Sequence, residues 1–117
     1  MQEERRRFVR LSALVDIVYD KRDSLKHKKL TLAKNIGRGG ICLIVYEELK
    51  KSDLLDLKIY LPESKTPINA VGRVVWVKEF IIGDISTGRR FDAGIEFIEI
   101  DKEDAKIIEK YIFSVIL

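Results

Sequence analysis

Six short runs of alternating apolar and polar residues, followed by one run with a helical period, constrain this chain more than any other feature. From Leu11 to Asp20, Leu11, Ala13, Val15, Ile17 and Tyr19 fall on one face, and Ser12, Asp16 and Asp20 on the other. That two-residue period marks a strand buried on one side. The polar stretch Lys21 to Lys29 reads as a loop. Leu30 to Asn35 alternates again, Gly37-Arg38-Gly39-Gly40 breaks the pattern, and Ile41 to Tyr46 resumes it. Leu54 to Leu61 forms a fourth run, stopped by Pro62. Ala70 to Val77, rich in β-branched residues, and Phe91 to Ile100 complete the six.

The end of the chain changes period. Ala105, Ile108, Ile112, Val115 and Ile116 recur at steps that place them on one helical face. Asp101 precedes this run, with Asp104 three residues on, in the manner of a capping box with Asp replacing Glu. The pattern predicts a mainly β domain with a C-terminal amphipathic helix. By itself it leaves a small barrel and a sandwich open. The helix is expected to cover an open end or face.

The length of 117 residues fits one domain, 1–117. A domain of this size buries roughly two-thirds of its unfolded surface, so it needs no metal or disulfide to fold. The formal charge of +3 is too small to make the chain a nucleic-acid binder on that ground. Its distribution says more, because Arg5, Arg6, Arg7 and Arg10 gather in residues 1–10 against Glu3 and Glu4. Those ten residues read as a flexible arm, 11–100 as the β unit and 101–117 as the helix. One cysteine, Cys42, rules out an internal disulfide and fits a reducing compartment. No apolar run approaches the ~20 residues of a membrane helix, and no signal segment opens the chain. A cytoplasmic protein without membrane insertion is expected.

Two segments carry the chemistry. Arg6 and Arg10, with Arg5 before them, make an RxxxR pattern ahead of the first run. Asn35-Ile36-Gly37-Arg38-Gly39-Gly40 lies between the second and third runs, with 24 residues separating Asn35 from Arg10. The pair resembles the signature of the PilZ family of cyclic di-GMP receptors, RxxxR followed by (D/N)x(S/A)xxG. Gly72-Arg73-Val74-Val75-Trp76 and Gly94-Ile95-Glu96-Phe97 are similar to that family's fifth and sixth strands. The resemblance implies a six-stranded antiparallel β-barrel with a C-terminal helix. It also implies a ligand, cyclic di-GMP, and binding residues Arg5, Arg6, Arg10, Asn35, Gly37 and Gly40.

The residue types suit that ligand. A guanidinium fork donates two hydrogen bonds to guanine O6 and N7, worth about 1–3 kcal/mol of base discrimination. It also pairs with phosphate or stacks on a purine. Asn35 offers an acceptor and donors to a guanine edge, and Gly40 is expected to leave room for close ligand approach. Gly37 departs from the family, which has Ser or Ala there. A lost hydroxyl bond costs about 1 kcal/mol, which predicts weakened rather than abolished binding. Restoring Ser at 37 is expected to leave affinity equal or raise it.

Other features read more plainly. Asp84-Ile85-Ser86-Thr87-Gly88 imitates the second motif, but its glycine comes one residue early, and it is expected to be the turn between the last two strands. Trp76 is expected to pack in the core or at the barrel rim, and Cys42 to be a small buried hydrophobe. His27 is expected on the surface. Phe80, Ile81 and Ile82 form either an exposed patch or a continued strand. One His and one Cys in unlike contexts make no catalytic dyad, and no phosphate loop or metal spacing appears. A receptor with no catalytic activity, metal or cofactor is therefore expected. It would order its arm over the ligand and signal to an unidentified protein partner, in motility, polysaccharide or adhesion machinery. One alternative is a degenerate PilZ-like interaction module that no longer binds nucleotide. Another is a β-barrel that binds nucleic acid without specificity, with the steep salt dependence this entails.

Overall fold

The alternating runs close on themselves. The computed structural model describes residues 9–22, 28–62, 64–80 and 88–116. In chain order the elements are β1 (Arg10–Leu11), β2 (Val15–Lys21), β3 (Lys29–Gly37), β4 (Gly40–Val45), β5 (Leu54–Tyr60), β6 (Ile68–Phe80), β7 (Arg90–Ile100) and α1 (Lys102–Ile116). Antiparallel pairing runs β3–β2–β5–β6–β7–β4, and β4 returns to β3, so six strands form a closed barrel. Short β1 is an extra strand on the free half of β3, where Arg10 and Leu11 face Gly37 and Ile36. Closure leaves no long unpaired edge, which removes the usual liability of a small sheet. No helix among the described residues is long and apolar enough to cross a membrane.

The inward faces make one core. Ile17, Leu57, Ile59, Ile41, Leu43, Phe91 and Ile95 come from four strands and pack together with Ile108 and Ile112 of α1. The helix lies against β3 and β1, so it sits beside the Gly37–Gly40 turn. Its start is capped: the Asp101 carboxylate accepts a hydrogen bond from the Glu103 N–H at 2.8 Å. The buried helical positions are Ala105, Ile108 and Ile112. Val115 and Ile116, expected on the same buried face, are about half exposed, because the last turn has no barrel surface beneath it.

The first run differs from its expected form. A single strand from Leu11 to Asp20 is interrupted at 12–14, since β1 pairs with the far end of β3 while β2 pairs with its first half. The register between them slips by one residue: Leu11 faces Ile36, whereas Val15 faces Ala33. Arg10, grouped with the flexible arm by sequence, is part of the sheet. Phe80 continues β6. Ile81, Ile82 and the Asp84–Thr87 segment lie outside the described residues, as does His27. Gly88, which follows, adopts φ +87°, a left-handed conformation that favours glycine.

Truncating Ile108 to Ala, at a fully buried site, is expected to cost about 2–5 kcal/mol in urea denaturation. Ile107→Ala, on the exposed side of the same turn, is expected to change stability by less than about 0.5 kcal/mol.

Candidate functional site

The two sequence motifs meet through one pair of hydrogen bonds. Arg10 donates from Nε at 3.1 Å and from Nη2 at 2.7 Å to the Oδ1 of Asn35. The residues are far apart in sequence and are joined because β1 lies on β3. With Oδ1 occupied by the guanidinium, the NH2 group is the hydrogen-bonding function that Asn35 keeps for a ligand. Donation to a guanine O6 or N7 remains available, whereas the acceptor role expected from sequence is taken by Arg10.

Asn35 reaches the outer wall because β3 is irregular there. Ala33 faces Leu43 and Asn35 faces Cys42, so β3 carries one extra residue, Lys34, opposite β4. A bulge of this kind breaks the two-residue alternation. Ala33 and Ile36 both point into the core, and Lys34 and Asn35 between them are both partly exposed.

The two motif glycines have different structural reasons. A Cβ built on Gly37 would lie 3.0 Å from Arg10 Cγ and 3.0 Å from the Val9 carbonyl oxygen. Gly37 therefore lets the Arg10 stem cross β3 closely. A side chain there presses on Arg10, so restoring serine acts through the guanidinium's position as well as through a hydroxyl. At Gly40 a Cβ would lie 2.1 Å from the Ile95 carbonyl oxygen. The close approach of β7 is by itself enough to demand glycine at 40. Arg38, in the same turn, donates to Glu109 of α1 at 3.3 Å, and the Gly39 carbonyl accepts from the Phe97 N–H at 2.9 Å. The turn is thus tied to both the helix and β7.

Strand register extends this face sideways. Asn35 faces Cys42, Cys42 faces Gly94, and Gly94 faces Trp76. At about 4.8 Å per strand, this row spans about 14 Å of sheet. Trp76 is 46% exposed, and its indole lies on the Gly94 backbone, where an added Cβ would come within 2.1 Å of Nε1. The expected packing role at the rim holds, and a large aromatic surface is left outward as well. A shallow depression of about 570 Å³ borders Trp76, Lys50 and Phe91. A separate groove of about 650 Å³, lined by Tyr19, Asp56, Asn69 and Glu99, shares no residue with the row.

Cys42 is buried beneath the row. Burial first, then the nearby Asp92 carboxylate, push its thiol pKa up, so it stays a neutral apolar floor at neutral pH. Lys34, Arg10 and Arg90 act on the same thiol in the opposite direction. Of the other residues expected to bind, Arg5 and Arg6 lie outside the described residues. Lys34 and Trp76 were not singled out by the motifs. The outward run Trp76, Lys78, Phe80 on one strand was a signal for the second, and Lys34 had none beyond adjacency to Asn35.

The structure is thus a closed, side-chain-filled barrel with a clasp of arginine and asparagine on its outer wall. The chain belongs to the PilZ domain family, whose model matches residues 4–114. No curated protein matches it in sequence. Among solved structures it is similar to the PilZ domain with c-di-GMP of YcgR from Escherichia coli. That match has a TM-score of 0.70 and 14% identity, over 94% of this chain and 90% of that one. Bacillus subtilis inhibitor of motility, MotI/DgrA, is similar with a TM-score of 0.73 and 24% identity, over 94% of this chain and 50% of that one. The K. pneumonia MrkH–c-di-GMP complex gives 0.71 and 19%, over 95% and 52%. At these identities the likeness establishes the fold. The chain spans about half the length of the MotI/DgrA and MrkH chains.

The glycine contacts make a stability prediction. Gly40→Ala forces backbone apart and is expected to cost about 3 kcal/mol or more. Gly37→Ala presses more gently, on the Arg10 stem and the Val9 carbonyl that precedes the short end strand, and is expected to cost less, about 1–2 kcal/mol. Urea midpoints of the two variants, measured side by side, check the order.

Proposed function

We propose that this chain is a receptor domain for cyclic di-GMP, held on the outer wall of the barrel and not transformed there. The observation that carries the reading is the Arg10–Asn35 clasp. It brings the second arginine of one motif to the first residue of the other. Family membership and the c-di-GMP bound to the YcgR and MrkH relatives support the same ligand.

The chemistry follows from what each group can donate. Arg10 presents a planar fork to a guanine edge or a phosphate, and the Asn35 NH2 adds a donor beside it. Trp76, at the other end of the row, offers a face for stacking a purine; such contacts are worth about 1–3 kcal/mol per base. Arg5 and Arg6 precede β1 and supply further cations. Because Arg10 is already seated in the sheet, ligand has only residues 1–9 to gather over itself. That ordering creates a surface for a partner protein, and the turn's link through Arg38 to α1 supplies a second route to one. The assignment of Arg5, Arg6, Arg10, Asn35, Gly37 and Gly40 as the binding set, and of 1–117 as one working domain, is part of this proposal.

Titration calorimetry with cyclic di-GMP, GTP and linear pGpG tests it. Wild-type protein is expected to bind the cyclic dinucleotide selectively. Arg10→Ala is expected to weaken binding about 100-fold or more, the equivalent of about 3 kcal/mol for a lost charged fork. Its β1 pairing is made by the backbone, so the fold is expected to persist. Wild-type affinity in Arg10→Ala, or equal binding of all three ligands, would overturn the reading. The arginines keep their charge throughout, so affinity is expected to change less than about twofold between pH 6 and 8.

A further inference from the structure

Beside the clasp lies a second group of cations that neither motif contains. Phe80, at the end of β6, has the Lys34 Nζ at 5.5 Å, the Lys78 Nζ at 5.4 Å and the Arg90 guanidinium at 5.3 Å from its ring centroid. The three come from different strands, β3, β6 and β7. Asp92 on β7 holds two of them: Lys34 pairs with its carboxylate, and Arg90 Nη2 lies 3.4 Å from Oδ1. Asp92 is only 2% exposed although its strand position faces outward, since these side chains cover it. Lys78 stands directly across from Asp92 on β6 and makes no ion pair among the described residues.

This arrangement is costly for a fold that gains nothing further from it. Three cations share one ring and only two of them reach the carboxylate, and each ring contact is worth only about 0.5–1 kcal/mol where water reaches it. The Nε donor of Arg90 is buried and has no acceptor among the described residues, a condition native proteins mostly avoid. Like charges gathered at this density point to an anion. The group is also continuous with the clasp. Lys34 is the residue before Asn35, and Arg10, Lys34 and Arg90 all act on the buried Cys42 thiol. The bulge turns Lys34 and Asn35 both outward and joins the two groups into one basic strip across β3, β4, β7 and β6.

We propose that Lys34, Lys78 and Arg90, set around Phe80 and anchored by Asp92, form a second anion position that takes a nucleotide phosphodiester remote from Arg10. This rests on the receptor reading above and names which further residues set affinity. The phosphodiester belongs either to the same ligand molecule or to a second copy stacked on the first.

The test uses Lys78→Gln, Arg90→Gln and the double variant, in which Lys34 still neutralises Asp92, with Lys65→Gln, a single charge lost at an exposed position, as the control matched to each single variant. Folding is checked by amide NMR dispersion. In calorimetry with cyclic di-GMP the double variant is expected to bind about tenfold more weakly. Its salt dependence is expected to flatten by about one to two in log–log slope. Lys65→Gln is expected to change neither. A stoichiometry that falls in the double variant assigns the position to a second copy, and an unchanged one assigns it to the same molecule. Unaltered affinity and slope in the double variant, or an equal loss in Lys65→Gln, would overturn the proposal. Should the wild-type protein bind no cyclic di-GMP, the receptor reading fails by itself. The anion position is then judged on pyrophosphate titrated into wild-type protein: saturable shifts at the Arg90 Nε–Hε and Lys34 amide resonances sustain it, and unmoved resonances end it.

Discussion

The hydrogen bonds from Arg10 to Asn35 are the constraint on which the site depends. Strand β1 is only two residues long, and a strand of that length contributes little pairing of its own. What positions it is the combination of two backbone partners on β3, the missing side chain at Gly37 and the shared oxygen of Asn35. Each lends the others definition. Without a Cβ at 37 the arginine stem can lie flat, and with the stem flat its fork reaches the amide at bonding distance. The guanidinium is thereby oriented before ligand arrives, which lowers the ordering cost that binding must meet.

The barrel determines where such a site can be. Its interior is filled by Ile, Leu, Val and Phe side chains from every long strand and by two isoleucines of the helix, as small barrels generally are. A bis-nucleotide has no room inside, so the proposed site falls on the outer wall. There the register of four strands sets Asn35, Cys42, Gly94 and Trp76 in one row, with polar groups at one end and an aromatic face at the other. Glycine at 94 is what allows the indole to lie down on the sheet. The neutral thiol at 42 leaves the middle of the row apolar, a suitable floor beneath a purine.

Much of this was legible in the sequence, because the two-residue and helical periods report directly on which face is buried. Six strands and a terminal helix follow from them, and the capping role of Asp101 follows from its place before the helix. The features that escaped are those in which periodicity is broken. The pause at Ser12–Leu14 preserves the inward placement of Leu11 and Val15, so alternation alone reads it as one strand. The bulge at Lys34 sends two successive residues outward, and a regular strand would have turned one of them in. Gly40 has a packing cause that its motif does not announce, the backbone of β7, more than fifty residues away in sequence. Asp92 is buried only because three strands pair around it. Motif spacing located the clasp, while the basic strip beside it exists only through register.

The central claim is that ligand is gripped by the Arg10–Asn35 clasp on the outer wall. The most direct measurement follows the Arg10 Nε–Hε, Asn35 side-chain NH2 and Trp76 indole resonances by two-dimensional NMR as cyclic di-GMP is added. The account predicts that all three shift together and saturate at one ligand concentration, with core methyls such as those of Ile17 and Leu57 unmoved. Saturable shifts confined to other faces of the barrel, with the Arg10 and Asn35 side chains unchanged, would contradict it.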